Sequence, residues 1–313
     1  MTEEMRRDER VFLMGEEVAQ YNGAYKASKG MLDEFGERRV IDTPIAELGF
    51  SAIAVGAAMN GLRPIVEFMT WNFAILAADQ IINHAAKMLQ MSGGQYPVPI
   101  VFRGPNGQAG QLGATHSQAF ENMYAAIPGL KVVTPFTPYD MKGLLKSAIR
   151  DEDPVLVMES EKMYGDKGDV PEGEFLVPIG VANIRRTGTD CTVVSFGKIL
   201  KTVHEAADVL AQEGIEVEIV DLRTIRPLDI DTIVESVKKT GRLVIVEESF
   251  PVASIASEVS YRVQRHAFDY LDAPIRRVCQ SDTPFAFATT LIEEALPQVG
   301  DVVRAIKDVA YVA

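Results

Sequence analysis

The sequence predicts an α/β protein of two doubly wound domains, and three observations carry that prediction. Short apolar, β-branched runs alternate with segments of helical periodicity along nearly the whole chain, as parallel strands with crossover helices do. A length of 313 residues exceeds the usual reach of one hydrophobic core. The alternation breaks at the turn-rich text GDKGDVPEG, residues 165–173, which separates a first domain over 1–165 from a second over 190–313, with a linker over 166–189.

In the first domain, VFLM at 11–14 reads as a buried strand ended by Gly15 and followed by Glu16 and Glu17. Residues 24–36 are weakly helical and 39–41 extended. Asp42-Thr43-Pro44 is punctuation: a residue before proline is driven out of helical space, so a helix can begin only after Pro44. From Leu48 to Met59 apolar residues fall nearly all round, which places Glu47 in the first turn of a helix buried on most of its surface. A strand at 64–68 leads through Met69, Thr70, Trp71, Asn72 and Phe73 into a helix over 74–90, and a strand at 98–102 is closed by Arg103. Residues 104–118 hold four glycines and no periodicity, and unstructured loops of that length are usually functional. A short helix at 119–126, a strand at 131–134, a helix at 139–149 and a strand at 154–158 complete the domain. The second domain continues the alternation with strands at 192–196 and 217–220, a helix at 199–213, and further elements at 231–239, 243–246, 255–263 and 277–279. It offers no nucleophile, metal cluster or phosphate loop, and reads as scaffold and interface.

Composition narrows the function classes. Apolar residues make up 47% and charged ones 24%, an ordinary globular balance. A formal charge of −13 argues against nucleic acid and anionic membranes and suits a basic protein partner. The N-terminal text MTEEMRRDER lacks the apolar core of a secretory signal, and its acids are foreign to transit peptides. The longest apolar stretch, 48–59, is shorter than the roughly 20 residues a membrane span needs. Cys191 and Cys279 are isolated, so a reduced compartment is expected: the cytoplasm, or an organellar matrix for a mature chain.

The chain has no G-x-x-x-x-G-K-[ST], no G-x-G-x-x-G between strand and helix and no G-x-S-x-G, which disfavours nucleotide hydrolysis, nicotinamide chemistry and serine hydrolysis. What remains is a set just after predicted strands: Glu16, Glu47, Trp71, Phe73 and His116. That end of a parallel sheet is where ligands bind. Two forces act on Glu47. The positive end of its helix favours the anion, whereas loss of water favours the acid; where the second dominates, the carboxylate becomes acid–base machinery near neutral pH. From the residues alone other readings stay open: a solvent-facing first-turn acid at Glu47, core-sealing rings at Trp71 and Phe73, a surface histidine at His116.

The segments GEEVAQYNGAYKASKG, VIDTPIAELGFSAIAVGAAMNGLRPIVEFMTWNFAILAADQIINHAAKM, GGQYPVPIVFRGPNG, THSQAF, PGLKVV, VEIVDLRTIRPLD and IKDVAYV cover almost the whole chain. Through them it resembles the β-subunit family of the thiamine-diphosphate-dependent, transketolase-like 2-oxo acid dehydrogenase decarboxylating components. GPNG and HSQAFENMYAAIPGLKVV look like the pyruvate type, an α2β2 heterotetramer, rather than the branched-chain type. The resemblance implies an N-terminal pyrimidine-binding domain and a C-terminal transketolase-like domain, with catalytic roles for Glu47 and His116. Glu47 matches the glutamate that hydrogen-bonds N1′ of the cofactor's aminopyrimidine, and His116 a histidine at the mouth of the site that steadies substrate or serves transfer to the lipoyl group. Phe73 matches a ring stacked beside the pyrimidine, Met69 and Ile45 match apolar walls, and Glu16 an acid near the cofactor. Ile100, Ala148, Ile149, Asp151 and Asp153 match a potassium-like cation site built largely from main-chain carbonyls.

The resemblance further implies oxidative decarboxylation of pyruvate and reductive acetylation of a lipoyl arm, toward acetyl-CoA. No G-D-G occurs, so the Mg²⁺ and the diphosphate of thiamine diphosphate are expected on the α subunit, without which the chain is expected to be inactive. A second expected partner is the dihydrolipoyl acyltransferase core, through its peripheral subunit-binding and lipoyl domains. The rival readings are a branched-chain 2-oxo acid or acetoin version of the same subunit, and a non-catalytic tethering scaffold.

Overall fold

The computed structural model describes residues 1–312, in two compact units. The first holds residues 1–106 and 123–179; the second holds 107–122 and everything from 180 on.

In the first unit, β1 (Val11–Gly15) is buried at every position and lies parallel to both β2 (Val40–Asp42) and β3 (Arg63–Glu67), with Leu13 opposite Val40 on one side and Ile65 on the other. β4 (Val101–Pro105), β5 (Lys131–Val133) and β6 (Val155–Glu159) extend the sheet in the order β5-β6-β4-β3-β1-β2, all parallel. Strands buried on both faces need continuous apolar runs, which is why these segments lack alternation. The helices are α1 (Thr2–Arg7), α2 (Met31–Phe35), α3 (Glu47–Met59), α4 (Trp71–Ala74), α5 (Met88–Met91) and α7 (Pro138–Arg150), while α6 (Glu121–Ala125) spans the change of unit at residue 122. α7 begins where local chemistry dictates. Thr137 Oγ1 accepts from the Asp140 amide at 3.1 Å, Asp140 accepts from the Thr137 amide at 3.2 Å, and Pro138 fills the first helical position.

Two expectations need correction here. The helix expected over 74–90 is instead α4, a 3₁₀ turn at Ile75–Ala77, a π-helical stretch at Gln80–Ala85, and α5. Ala77, Ile81 and Ala85 still form one buried stripe; apolar periodicity reports which side faces the core and leaves the hydrogen-bond pitch undecided. The linker expected over 166–189 is also partly core. Phe175 stacks on Tyr139 at 4.7 Å, and Val177 is a buried member of the core cluster that also holds Leu144, Ala148 and Val157.

The second unit is a sheet in the order β12-β11-β8-β9-β7. β7 (Asn183–Arg186) runs antiparallel to β9 (Val217–Asp221), and β8 (Cys191–Ser195), β9, β11 (Leu243–Val246) and β12 (Arg276–Val278) are parallel. β10 (Thr224–Arg226) is a short strand apart from that sheet. The helices are α8 (Leu200–Gln212), α9 (Ile230–Thr240), α10 (Ile255–Ala267), α11 (Thr289–Ala295) and α12 (Val299–Ala310). Among the described residues no helix is long and apolar enough to cross a membrane.

Candidate active site

Glu47 is the first residue of α3. The preceding Ala46, at φ −157° and ψ 69°, offers no side-chain cap, and the glutamate itself is the acid of the helix's first turn. It is 4% exposed. Glu16, 6% exposed, is the first residue beyond β1. The parallel register sets Gly15 opposite Asp42, and the Thr43 amide donates to the Gly15 carbonyl at 3.0 Å, so the chain leaving β1 and the chain entering α3 run side by side. The Asp42 carboxylate fastens them, accepting from the amides of Ala19 at 2.7 Å and Gln20 at 3.0 Å.

The consequence is two buried glutamates facing each other. Burial first, then the charge of Glu47 and the hydrogen bond shared with it, push the Glu16 carboxyl up to about 7. Like charges that close resist ionising together, so the Glu16 carboxyl keeps its proton to a higher pH than an exposed glutamate does. Glu16 Oε1 is buried without a hydrogen-bond donor. Such a pair accepts a proton or gives one up at little cost to a ring nitrogen placed against it.

The aromatics divide. Trp71 is core: fully buried, edge-on to Phe68 at 5.6 Å and 5.2 Å from Tyr124, with Nε1 donating to the Val157 carbonyl at 3.4 Å. Phe73 and Met69 stay half-buried at the β3–α4 turn, where Thr70 caps α4 and donates to the Pro105 carbonyl at 3.3 Å. Ile45, two residues before α3, is 83% exposed within this chain.

Sequence reasoning missed the charged cluster at the ends of three neighbouring strands. Arg103 is 3% exposed, lies 2.6 Å (Nε) and 2.5 Å (Nη2) from the two oxygens of Glu159, and pairs with Glu67 through Nη1. Tyr164 donates to Glu159 at 2.9 Å. A signal was available, since Glu67, Arg103 and Glu159 each close a wholly apolar run, where a lone charge must find a partner.

The cation-site candidates do gather at the C-terminal end of α7. Nη1 of buried Arg63 donates to the carbonyls of Ile149 and Asp151, both at 3.0 Å. Lys131 holds the Asp151 carboxylate at 2.7 and 2.8 Å and Asp153 at 3.0 Å. The Ile100 carbonyl accepts from the Val155 amide at 3.0 Å and that of Ala148 from the Asp151 amide at 3.3 Å. The two carboxylates are thus occupied by an ammonium, while a carbonyl with a single donor keeps a lone pair for a cation.

His116 belongs to the second unit. It ends a 3₁₀ turn at Ala114–His116, is half-buried, and its Nδ1 lies 3.0 Å from Thr115 Oγ1. Sequence reasoning placed the chemistry of the loop within the first domain and saw none in the second, yet Glu248, just beyond β11, contacts the loop directly: its Oε1 accepts from the Gln108 amide at 2.6 Å. No local pattern announces a contact between residues so far apart in sequence.

Comparison with known proteins gives the following. Residues 1–167 match the family described as transketolase, pyrimidine binding domain, and residues 180–302 match transketolase, C-terminal domain. The chain is 58% identical over 312 residues to the pyruvate dehydrogenase E1 component subunit beta of Rhizobium meliloti (strain 1021), an alignment spanning 99% of this chain and 68% of that protein. It is 54% identical over 313 residues to the mitochondrial subunit beta of Dictyostelium discoideum, spanning 99% and 88%, and 53% identical over 312 residues to that of Homo sapiens, spanning 98% and 87%. A solved structure described as a split gene transketolase, inactive beta4 tetramer, superposes with a TM-score of 0.80 at 21% identity, covering 99% of this chain and 95% of that one, a likeness of fold.

Proposed function

This chain belongs to the family of pyruvate dehydrogenase E1 component β subunits, and from that premise we propose that it forms the pyrimidine-binding half of a thiamine-diphosphate-dependent pyruvate dehydrogenase, active with an α subunit. The proposed reaction is oxidative decarboxylation of pyruvate followed by reductive acetylation of a lipoyl group, toward acetyl-CoA. The observation that carries the reading is the buried Glu16–Glu47 pair at the head of α3. An aminopyrimidine nitrogen needs a carboxyl partner able to keep a proton in the absence of water, and a carboxylate pair with one proton is that partner.

When bound, thiamine diphosphate supplies the carbon nucleophile that decarboxylation requires. Glu47 holds the proton at the pyrimidine N1′, and Glu16 keeps that proton from being lost to a second negative charge. Phe73 offers a half-exposed ring for stacking and Met69 an apolar surface beside it. His116 steadies the substrate carboxylate or serves transfer to the lipoyl group.

Among the described residues no group of three or more His, Cys, Asp or Glu side chains is arranged to hold a metal ion, and the reading assigns Mg²⁺ and the diphosphate to the α subunit. Exposed Ile45 and Leu48 beside the buried Glu47, with Leu76 on the neighbouring turn, form the kind of apolar surface that another chain completes. A potassium-like ion fits the carbonyls of Ile100, Ala148, Ile149 and Asp151. Around them Arg63 pairs with Asp8 and Glu152, and Lys131 with Asp151 and Asp153. The formal charge of −13 suits docking to a basic subunit-binding domain of an acyltransferase core, and the proposed compartment is the cytoplasm.

Reconstitution with the α subunit tests the reading. Turnover of pyruvate in preference to 3-methyl-2-oxobutanoate is expected. The reverse preference would assign the chain to the branched-chain type, and no turnover of either by an assembled tetramer would leave only the tethering role.

A further inference from the structure

The loop that carries His116 is closed and clamped within the second unit. The Gly107 amide donates to the Gln118 carbonyl at 3.0 Å, which draws the two ends of the loop together. Glu248, 7% exposed, holds that neck: Oε1 accepts from the Gln108 amide at 2.6 Å and lies 2.7 Å from Nζ of Lys198. Lys198 in turn donates to the Gln108 carbonyl. Both polar groups of one residue's backbone are therefore gripped by a single, largely buried ion pair.

The sequence has made room for this grip. Gly107 has φ +77°, and a Cβ there would lie 2.8 Å from Glu248 Oε1. Farther round, the Gln111 side chain donates to the Phe287 carbonyl at 3.1 Å, and Gly113, at φ +79°, lies so near the Phe287 ring that a Cβ would come within 2.7 Å. From Gly113 the fixed geometry passes to His116, whose amide donates to the Gly113 carbonyl at 3.3 Å, while Ser117 Oγ donates to the same oxygen at 2.9 Å.

We propose that Glu248 and Lys198 are positioning residues for His116: an ion pair on the C-terminal domain that sets the loop and hence the place of the imidazole in the reaction. The proposal rests on the role given to His116 above and extends it, because it assigns a function in catalysis to a domain whose sequence reads as scaffold. Neither residue is assigned contact with substrate or cofactor. Each acts through the backbone of Gln108.

The test uses the reconstituted heterotetramer loaded with thiamine diphosphate and Mg²⁺. Glu248→Gln keeps the size of the side chain and removes its charge, and Lys198→Met is the companion variant should the first assemble poorly. Amide hydrogen exchange over 107–118 is expected to quicken in both. Reductive acetylation of a free lipoyl domain is expected to slow roughly ten- to hundredfold, the usual weight of a charge-assisted hydrogen bond. Exchange of the cofactor's C2 proton should be unchanged, Glu248→Asp should restore part of the rate, and adding His116→Gln to Glu248→Gln should cost little more than His116→Gln alone. Unaltered loop exchange in both variants, or losses that multiply with that of His116→Gln, overturns the clamp. Full activity in His116→Gln alone is a different result: it removes the role given to His116, and the loop-exchange arm still decides whether Glu248 and Lys198 hold the loop.

Discussion

Glu16 and Glu47 share one buried hydrogen bond, carboxyl to carboxylate, across the junction where β1 ends and α3 begins. The pairing follows from backbone geometry rather than from any sequence motif: parallel register brings Gly15 beside Asp42, and each chain then releases one glutamate into the same dry space.

That pair makes stability fall with rising pH over a defined window. The Glu16 carboxyl moves from its ordinary 4.5 to about 7 on folding. Between those values the folded chain keeps a proton that the unfolded chain has lost, so stability is greatest at the acid side and declines as pH climbs toward 7. Glu16→Gln mimics the protonated form, and urea unfolding should find it more stable than the wild type at about pH 8, on the order of 2 kcal/mol, with the gap closing by about pH 5. Equal stabilities at both pH values would mean that Glu16 is not protonated in the fold.

Among the described residues Arg103 is the cation that joins Glu67 to Glu159, both buried. Removing one member of such a cluster strands the others, so Arg103→Met should lower unfolding free energy by about 3–5 kcal/mol. Arg103→Lys should recover only part, since an ammonium cannot reproduce the two-pronged bond to Glu159. Denaturant titration of the three proteins checks the order.

On the proposed reading this chain holds the pyrimidine side of the cofactor and the α subunit holds the diphosphate. Calorimetry of the chain alone with thiamine diphosphate and Mg²⁺ should show weak binding that becomes tight once the α subunit is added. Tight binding by the lone chain would place the diphosphate site within it and remove the argument for a partner-held Mg²⁺.

At the α7–β6 junction the carbonyls of Ile149 and Asp151 face the guanidinium of Arg63. If a monovalent cation joins them, exchanging KCl for choline chloride at equal ionic strength should lower the Tm of the tetramer, by mass action on a site present only in the folded state. An unchanged Tm would leave Arg63 and Lys131 as the only cations of that junction.

Much of this was legible in the sequence. Pro44 and the apolar run from Leu48 fixed the start of α3 and put Glu47 in its first turn, where the structure has it. The parallel strands announced themselves by continuous apolar runs. What was not legible depends on side chains meeting across long sequence distances. Arg103 finds Glu67 and Glu159 only once three strands are adjacent, and the Gln108 backbone meets Glu248 only once the loop is folded. The π-helical stretch at Gln80–Ala85 escaped for a different reason: its buried residues keep a spacing that an α-helix shares. Ile45 is a pocket wall by the family resemblance alone, and in this chain it stands exposed before α3.

The central claim is that Glu47 holds the proton on which the cofactor's reactivity depends. Its most direct test is the rate of hydrogen–deuterium exchange at C2 of thiamine diphosphate in the α2β2 tetramer, wild type against Glu47→Gln. The account predicts an intact tetramer whose exchange is slowed at least about a hundredfold, as expected when acid–base assistance is removed. Exchange at the wild-type rate in an assembled Glu47→Gln tetramer would contradict it.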